Sequence, residues 1–416
     1  MRGRKITLQI SLCLVLLLLA MSLVMACPPP SLPPPQDSTS VVEPEPEITP
    51  IFPEIEPPEL EPPPVEIEPM PVVIPLPEPV VTPIFPEIEP PEPILVPIPG
   101  SRDILERVNF ELIDQHALDA PEWAEESVES LAAWLVEPAR NDLEKVRAIF
   151  RWITHNVYYD VVTFFNIIEG TGPVADQSPE GVLASREAVC EGYSRLFKAL
   201  AHLGGLEVVQ VSGWAKGFGY TVGDPIEGPA DHAWNAVKID DGWYLLDSTW
   251  GAGSLDEERQ FVRKFKEFFF LTPPEQLIYT HFPVNPHWQL LEVPITRDEF
   301  AEPPLVGPAF FENSLEFVSH PEGVIEVEHS VVVTISAPED VELLAELEQE
   351  GQRLPRSLTF AQREGDHYVI EAVFPGPGDY CLLIFAGKRG ETEEFKFAIR
   401  YKVIVSEGLP GPIGFP

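Results

Sequence analysis

Apolar side chains recur at helical spacing in three stretches of the chain. The most regular one predicts an amphipathic helix over residues 142–156, with Asn141 as its N-cap and Glu144 as the capping-box partner. A shorter helix is predicted over residues 125–136. The third begins at or beside Cys190 and ends at a Gly-Gly pair, since glycine readily adopts the backbone conformation that ends a helix.

Alternating apolar and polar residues predict strands downstream of the third helix. Residues 208–214 form one candidate, and residues 232–240 and 243–250 form two more, joined by a tight turn at Asp241-Gly242. A loop rich in glycine and proline separates the first strand from this hairpin. Helices followed by an antiparallel sheet place this part of the chain in the α+β class.

The pattern changes near residue 305, where short β-rich runs alternate with Gly and Pro turns. Seven such strands over about 100 residues are typical of an immunoglobulin-like β-sandwich. The candidate strands are residues 316–318, 324–327, 330–336, 357–360, 367–374, 378–386 and 394–405. Residues 340–351 are the exception, because their pattern predicts a short helix or a helical loop.

Composition separates the N-terminal part from the rest. Of the 49 prolines in the 416 residues, 27 lie between residues 28 and 100, together with 14 acidic residues and no lysine or arginine. Proline removes an amide donor and fixes φ, so neither a helix nor a sheet ladder runs through this segment. We expect a disordered stalk, in which residues 49–59 recur as residues 82–92. Two roles stay open: a spacer that lifts a domain off a membrane, or a ligand for proline-binding domains or wall polymer.

The start of the chain has the pattern of an export signal. Arg2, Arg4 and Lys5 precede an almost wholly apolar stretch over residues 6–26. The sequence Leu-Val-Met-Ala-Cys that ends at Cys27 resembles the lipobox of bacterial lipoproteins, in which the cysteine is lipidated. The alternative is an uncleaved membrane anchor, for which the stretch is long enough. Both interpretations place the remainder outside the cytoplasm, attached to the cell membrane.

Charge and cysteine content narrow the functional classes. The chain carries 67 acidic and 27 basic side chains, a net charge of −40 at pH 7. This argues against nucleic-acid binding, because contact with phosphates requires a basic face. The four cysteines, at positions 13, 27, 190 and 381, cannot build a disulfide scaffold and show no zinc-ligand spacing. We therefore expect no metal and no organic cofactor.

Cys190 is a candidate nucleophile because a helix is predicted to start there. Unpaired amides and the helix dipole at that position stabilise negative charge on a thiolate. A lone cysteine is also commonly a buried structural residue, so its partners decide between the two interpretations. His232 and Asp247 lie towards the same end of the predicted hairpin. An aspartate beside a histidine fixes its tautomer, and a histidine within reach of a cysteine takes the thiol proton.

Three short motifs carry a resemblance to a known family. Cys190-Glu-Gly-Tyr, His232-Ala-Trp-Asn and Leu246-Asp-Ser-Thr-Trp resemble the motifs of transglutaminase-like cysteine enzymes, and most closely those of the kyphoscoliosis peptidase family. Segments upstream and downstream, including His281-Phe-Pro, extend the resemblance over about residues 110–291. It implies a papain-like core, in which a helix carrying the nucleophile packs on an antiparallel sheet carrying His and Asp.

By the same resemblance, Cys190 is the nucleophile, His232 the general base and acid, and Asp247 the residue that orients His232. The developing oxyanion needs donors as well. The backbone amide of Cys190 is one candidate, and Gln177 or another polar loop residue is the candidate side chain.

The other aromatic and histidine side chains near these motifs are assigned no chemistry. Trp234 and Trp250 are expected to form the cleft wall or the core. Four histidines are expected to be structural or solvated, two on helices and two in loops: His155, His202, His281 and His287.

Together these observations predict a surface-anchored thiol enzyme acting on amide bonds of a protein or peptide substrate. Hydrolysis, transamidation and acyl transfer from a thioester donor stay open, and a cell-envelope polymer is a further candidate partner. The alternative is a catalytically silent peptide- or wall-binding module displayed on the stalk. The predicted boundaries are residues 1–26 for the signal peptide, 27–100 for the stalk, 101–300 for the transglutaminase-like domain and 301–416 for the immunoglobulin-like domain.

Overall fold

The computed structural model describes residues 108–256, 258–390 and 395–407 of the chain. The predicted signal peptide, Cys27 and the proline-rich stalk lie outside these residues, so their assignments stay predictions. Within the described part, no helix is both long enough and apolar enough to span a bilayer.

Helices dominate the first half of the described chain. The described α-helices are α1 (Glu111–Leu118), α2 (Val128–Val136), α3 (Asp142–Asn156), α4 (Val161–Glu169), α5 (Pro179–Ser185), α6 (Cys190–Leu203), α7 (Ser248–Ala252), α8 (Pro274–Leu277), α9 (Arg297–Ala301) and α10 (Pro308–Glu312). The Asn141 side chain accepts a hydrogen bond from the Glu144 amide at 2.9 Å, so α3 begins where predicted. The predicted capping box is incomplete, because the Glu144 carboxylate binds the backbone amide and guanidinium of Arg140 instead.

An antiparallel sheet lies against α6. The strands of this region are β1 (Tyr158–Tyr159), β2 (Glu187–Ala188), β3 (Val208–Ala215), β4 (His232–Ile239), β5 (Gly242–Leu246), β6 (Gly253–Leu255), β7 (Phe261–Arg263) and β8 (His281–Pro283). Four of them form one sheet in the order β5, β4, β3, β8, and α6 packs against β3 and β4. The buried amide of Asn235 fixes this packing by donating to the Ser194 carbonyl of α6 at 3.1 Å.

The hairpin of β4 and β5 differs from the prediction in two places. Its turn consists of Asp240 and Asp241, with Asp240 at a φ of 52°, and Gly242 is already the first residue of β5. The second strand ends at Leu246, earlier than predicted, because the side chain of Asp247 caps α7. Asp247 therefore stands where a strand gives way to a helix.

The C-terminal part is a sandwich of two sheets around its own apolar core. Its strands are β9 (Leu305–Val306), β10 (Glu316–Phe317), β11 (Val324–Val327), β12 (Ser330–Ser336), β13 (Val341–Gln349), β14 (Gln352–Arg353), β15 (Thr359–Glu364), β16 (His367–Val373), β17 (Gly378–Lys388) and β18 (Lys396–Val405). One sheet has the order β10, β12, β16, β15; the other has β11, β18, β17, β13, β14, with β9 on β18. The predicted β-sandwich is confirmed.

The predicted helix or helical loop over residues 340–351 is wrong. This segment is strand β13, which pairs along its length with β17. Val341, Leu343 and Leu347 are buried, so the apolar residues follow the two-residue period of a strand. Pairing and burial outweigh the helix propensity of its leucine, alanine and glutamate residues.

Gly213 of β3 allows three strands to approach closely. A Cβ at this position would lie 2.2 Å from the carbonyl oxygen of Phe282 on β8 and 2.6 Å from Cη2 of Trp234 on β4. Side-chain carbons do not approach other atoms this closely. Because His232 shares β4 with Trp234, this contact helps to fix the strand that carries His232.

We expect Gly213→Ala to lower the free energy of unfolding by about 1–3 kcal/mol, because neither a backbone carbonyl nor a packed indole yields easily. Urea denaturation of the purified chain measures the change. Gly376→Ala is the matched control, since no heavy atom lies within 4 Å of a Cβ built there. Equal stability of the two variants would contradict the packing around Gly213.

Candidate active site

Cys190 is the first residue of α6, and Val189 is the N-cap of that helix. Amides at the start of a helix have no partner within the helix, and the helix dipole places partial positive charge there. The position of Cys190 therefore stabilises negative charge on its sulfur. The residue is partly exposed and forms no disulfide, so its thiol is available for chemistry.

His232 begins β4, and its ring contacts Asp247. Nε2 of His232 lies 2.8 Å from Oδ2 of Asp247, and both side chains are buried. An ionised carboxylate only accepts hydrogen bonds, so His232 donates through Nε2. Its Nδ1 atom remains for a partner on the other side of the ring.

The Asp247 carboxylate accepts four hydrogen bonds. Oδ1 accepts from the amides of Thr249 at 2.7 Å and Trp250 at 3.1 Å, and Oδ2 accepts from His232 and, at 3.1 Å, from His281. Burial raises the pKa of Asp247, but the two histidines outweigh burial and hold the pKa well below its usual range. The carboxylate is therefore charged, although none of its surface is exposed.

Cys190 also interacts with His232. Burial lowers the pKa of His232, whereas the charge and hydrogen bond of Asp247, and then those of Cys190, raise it to about 10. An imidazolium held in this way stabilises a neighbouring thiolate. Cys190, His232 and Asp247 thus form one series of interacting side chains.

The spacing of the sequence motifs does not predict the second histidine at the site, His281. It lies on strand β8, opposite Ala215 of β3, rather than in the predicted loop, and its side chain is fully buried. Nδ1 of His281 lies 2.8 Å from Oγ1 of Thr280, and Nε2 binds Asp247. The sequence hints at His281 only through the His281-Phe-Pro segment, which is part of the family resemblance. This segment is too short to show a periodic pattern, so it assigns the histidine no role.

Gln177 lies beside the start of α6. Its Oε1 accepts a hydrogen bond from the Val189 amide at 3.0 Å, and its Nε2 donates to the Ala175 carbonyl at 3.2 Å. The first contact fixes the side chain next to the residue that precedes Cys190. The amide also carries a second Nε2 hydrogen, which neither of these contacts uses.

The two tryptophans occupy different environments. Trp234 is 1% exposed and belongs to the apolar core, with its ring 5.9 Å from that of His232. Trp250 is partly exposed, and its ring lies 5.6 Å from that of His232. Trp250 is therefore the tryptophan in position to line a cleft at the site.

Partly exposed aromatic side chains form a surface next to the site. We name Tyr159, Phe164, Phe165 and Phe218 the aromatic shelf. The ring centroids of Tyr159 and Phe164 lie 5.5 Å apart, and Phe218 lies 5.9 Å from Phe164 and 5.7 Å from Phe165. Phe218 is 51% exposed, and its contacts with Phe164 and Phe165 make it part of a contiguous apolar surface rather than an isolated exposed ring.

The aromatic shelf adjoins the candidate site at two points. Gly217 packs against Trp250, since a Cβ on Gly217 would lie 3.2 Å from Cζ2 of the indole. At the other point, Tyr159 interacts electrostatically with Cys190, because burial and then the charge at Cys190 raise the pKa of Tyr159. A ligand bound at Cys190 would therefore meet the shelf.

His232, Asp247 and His281 also place three potential metal-ligand atoms within 4.8 Å of one another. Zinc binds such atoms in proteins. Here, however, both Nε2 atoms direct a hydrogen at the same carboxylate oxygen, and the side chains of His281 and Asp247 have no exposed surface. Hydrogen bonding therefore accounts for the cluster without a metal ion.

Comparison with known families identifies both folded regions. The model of the transglutaminase-like superfamily matches residues 129–248, and the model of the KY-like, immunoglobulin-like domain matches residues 297–416. The chain thus has a transglutaminase-like core followed by an immunoglobulin-like domain, which confirms the fold class predicted for these regions.

Known relatives match more than two thirds of this chain. Kyphoscoliosis peptidase of Homo sapiens is 32% identical over 305 residues, which cover 71% of this chain and 43% of that protein. Hillarin of Drosophila melanogaster is 26% identical over 356 residues, which cover 76% of this chain and 42% of that protein. The chain therefore spans about two fifths of the length of these relatives. A crystal structure of a TGase matches 36% of this chain and 35% of its own, at 18% identity and a TM-score of 0.22.

Asp247→Asn should change how stability depends on pH. The pKa of His232 is raised from 6.5 to about 10. Between these two pH values the folded state therefore keeps the proton on His232, whereas the unfolded state releases it. The resulting stability is complete below pH 6.5 and is lost as the pH rises towards 10, by at most about 1.4 kcal/mol per pH unit. We expect a shallower decline in Asp247→Asn, measured by urea denaturation across this window.

Asp241→Asn is the control for this measurement, because it removes an exposed carboxylate from the turn of the same hairpin. Its stability should decline with pH as that of the unmodified chain does. The same slope in Asp247→Asn would contradict the assigned ion pair.

Proposed function

We propose that this chain, which joins a transglutaminase-like core to a KY-like immunoglobulin-like domain, is a thiol enzyme that acts on amide bonds in proteins or peptides. The observation that carries the proposal is the buried pair of Asp247 and His232 beside Cys190. Burying a charged carboxylate costs free energy unless it is paired and hydrogen-bonded. A domain that only binds peptides has no need for such a pair behind a cysteine.

In the proposed first step, the Cys190 sulfur attacks the carbonyl carbon of the amide. A carbon–sulfur bond forms, and the π electrons of the carbonyl move to its oxygen. When this intermediate collapses, the carbon–nitrogen bond breaks and the Nδ1 proton of His232 passes to the departing nitrogen. The products are a free amine, a thioester on Cys190 and a neutral His232.

The second step releases the thioester. His232 takes a proton from water or from a second amine, whose lone pair attacks the thioester carbonyl. The carbon–sulfur bond breaks, and the thiolate of Cys190 and the imidazolium of His232 are restored. Water yields a carboxylic acid and an amine yields a new amide. Hydrolysis needs no binding site for a second substrate, and we propose it as the main reaction.

The oxyanion of the intermediate needs preorganised donors. We propose the backbone amide of Cys190, which lies in the first turn of α6, as one of them. Gln177 is our proposal for the side-chain donor, through the Nε2 hydrogen that its contact with Ala175 leaves free. The bond from its Oε1 to the Val189 amide holds it beside the helix start.

A peptide substrate agrees with the surroundings of the site. An extended peptide with its reactive carbonyl at Cys190 has neighbouring side chains that must lie along the cleft walls. Trp250 and the aromatic shelf offer apolar surface there. Burying a large apolar side chain on such a surface contributes about 1.5–3 kcal/mol. We therefore propose substrates with a bulky apolar side chain close to the reactive amide.

We further propose that the enzyme works outside the cytoplasm, anchored through a lipid on Cys27. The basic start, the apolar stretch over residues 6–26 and the lipobox-like ending support this. The acidic, proline-rich residues 28–100 would hold the catalytic core away from the membrane. Envelope proteins and the peptides of envelope polymers are the substrates within reach of such an enzyme.

Cys190→Ala tests the proposal most simply. We expect turnover of a peptide library to fall by ~1,000-fold or more, because the nucleophile is gone. Mass spectrometry should also show that an iodoacetamide adduct present on Cys190 of the unmodified chain is missing. Cys381→Ala is the matched control, since Cys381 lies on β17 of the sandwich, and it should keep full turnover.

Undiminished turnover in Cys190→Ala would contradict a thiol mechanism. Tight peptide binding by the unmodified chain, without turnover or an acyl adduct on Cys190, would identify it as the silent binding module considered as the alternative.

Phe218→Ser tests the place of the aromatic shelf in substrate binding. We expect kcat/KM for peptides with a bulky apolar side chain near the reactive amide to fall about tenfold, mainly through KM, because an apolar contact is lost. The rate of Cys190 alkylation by iodoacetamide should stay unchanged. Phe360→Ser is the control, since Phe360 is 60% exposed but lies on β15 of the sandwich. Equal values of kcat/KM in Phe218→Ser and Phe360→Ser would show that the aromatic shelf does not bind substrate.

A further inference from the structure

His281 has no part in the steps above, yet it binds the central carboxylate of the site. Its Nε2 lies 3.1 Å from the same Oδ2 atom of Asp247 that His232 contacts at 2.8 Å. The two imidazole rings approach to 5.2 Å between centroids. A strand that carries none of the three proposed catalytic side chains thus supplies a donor to the site.

The hydrogen bonds of His281 assign its tautomer. Because the ionised Asp247 only accepts, His281 must carry a hydrogen on Nε2. Burial lowers the pKa of His281, so the ring is neutral and Nδ1 has a lone pair. Oγ1 of Thr280 lies 2.8 Å from this Nδ1 and 3.3 Å from the carbonyl oxygen of Leu277. Because the neutral ring makes Nδ1 an acceptor, the single hydroxyl hydrogen is donated along the shorter contact, to His281. A series of donors and acceptors then runs from Thr280 through His281 and Asp247 to His232.

We propose that His281 is a positioning residue for this reaction: a neutral imidazole, oriented by Thr280, that holds the Asp247 carboxylate in line with His232. The proposal rests on the function proposed above. Because its side chain is fully buried against Asp247, His281 acts through this carboxylate rather than on the substrate.

The geometry explains why Asp247 needs this second histidine. The amides of α7 fix Oδ1, but a carboxylate whose other oxygen binds only His232 can still tilt together with that ring. Two donors that reach Oδ2 from different strands, β4 and β8, remove this freedom. The neutral ring adds a hydrogen bond without adding a charge that would compete with the imidazolium of His232.

Three variants separate positioning from simple structural support. His281→Leu removes both ring nitrogens, His281→Gln keeps an N–H donor on a side chain of similar reach, and Thr280→Val removes the hydroxyl with little change in shape. We expect kcat to fall about tenfold in His281→Leu, with KM within about twofold, by analogy with the hydrogen-bond partners that orient metal ligands, whose loss costs about 10–100-fold. His281→Gln should recover most of kcat, and Thr280→Val should lose a few-fold.

The dependence of kcat/KM on pH distinguishes a positioning role from a structural one, because loss of purely structural support would not change it. A carboxylate that is no longer held in line stabilises the imidazolium less, so the alkaline limb of kcat/KM should move to lower pH in His281→Leu and stay in place in His281→Gln. The charge of Asp247 also shifts the pKa values of three other groups, Tyr159, Tyr193 and Lys266. Since all three variants keep these residues, they do not account for a difference between the variants. An unchanged kcat and alkaline limb in folded His281→Leu would overturn the proposal.

Thermal unfolding establishes whether each variant is folded. If His281→Leu does not fold, the test rests on Thr280→Val. A kcat and a pH profile of Thr280→Val equal to those of the unmodified chain would then overturn the proposal. Cys190→Ala distinguishes a failure of the proposed function from a failure of the positioning role of His281. Turnover that persists without Cys190 contradicts the proposed function, whereas loss of turnover in Cys190→Ala, with normal kinetics in both His281→Leu and Thr280→Val, contradicts the positioning role alone.

Discussion

The candidate site depends on one buried charge, the carboxylate of Asp247. Taking a carboxylate out of water costs several kcal/mol, and four hydrogen bonds compensate this cost. Two donors are amides of α7, and the others are imidazoles on β4 and β8. The same contacts therefore join a helix to two strands and keep His232 protonated. Fold and chemistry are coupled through this residue.

The sheet and α6 position Cys190 and His232 through contacts that do not involve Asp247. The buried amide of Asn235 ties β4 to the Ser194 carbonyl one turn into α6, so the start of the strand and the start of the helix keep a fixed distance. Gly213 lets β3, β4 and β8 approach closely, which brings His281 within reach of the carboxylate. Substitutions at Asn235 or Gly213 would therefore disturb the site, although neither residue has a role in the proposed reaction.

Much of this arrangement could be predicted from local sequence patterns, and the failures have physical causes. Helix α3 follows its apolar stripe and its cap at Asn141, and the motifs of Cys190 and His232 lie on long, regular elements. The leucine, alanine and glutamate residues of strand β13 favour a helix or helical loop, whereas pairing with β17 decides its structure. His281 lies on a three-residue strand, too short to show a period, and its partner is 34 positions away.

The protonation state of His232 tests the central claim most directly. Nitrogen NMR of the folded chain, with the imidazole signals assigned by substitution, follows each histidine through a pH titration. A buried Asp247 paired with His232 predicts that this ring is still doubly protonated at about pH 8, because its pKa is raised to about 10. His281 should be neutral at the same pH, because burial lowers its pKa. A His232 ring that loses its proton near its ordinary pKa of 6.5 would contradict the account.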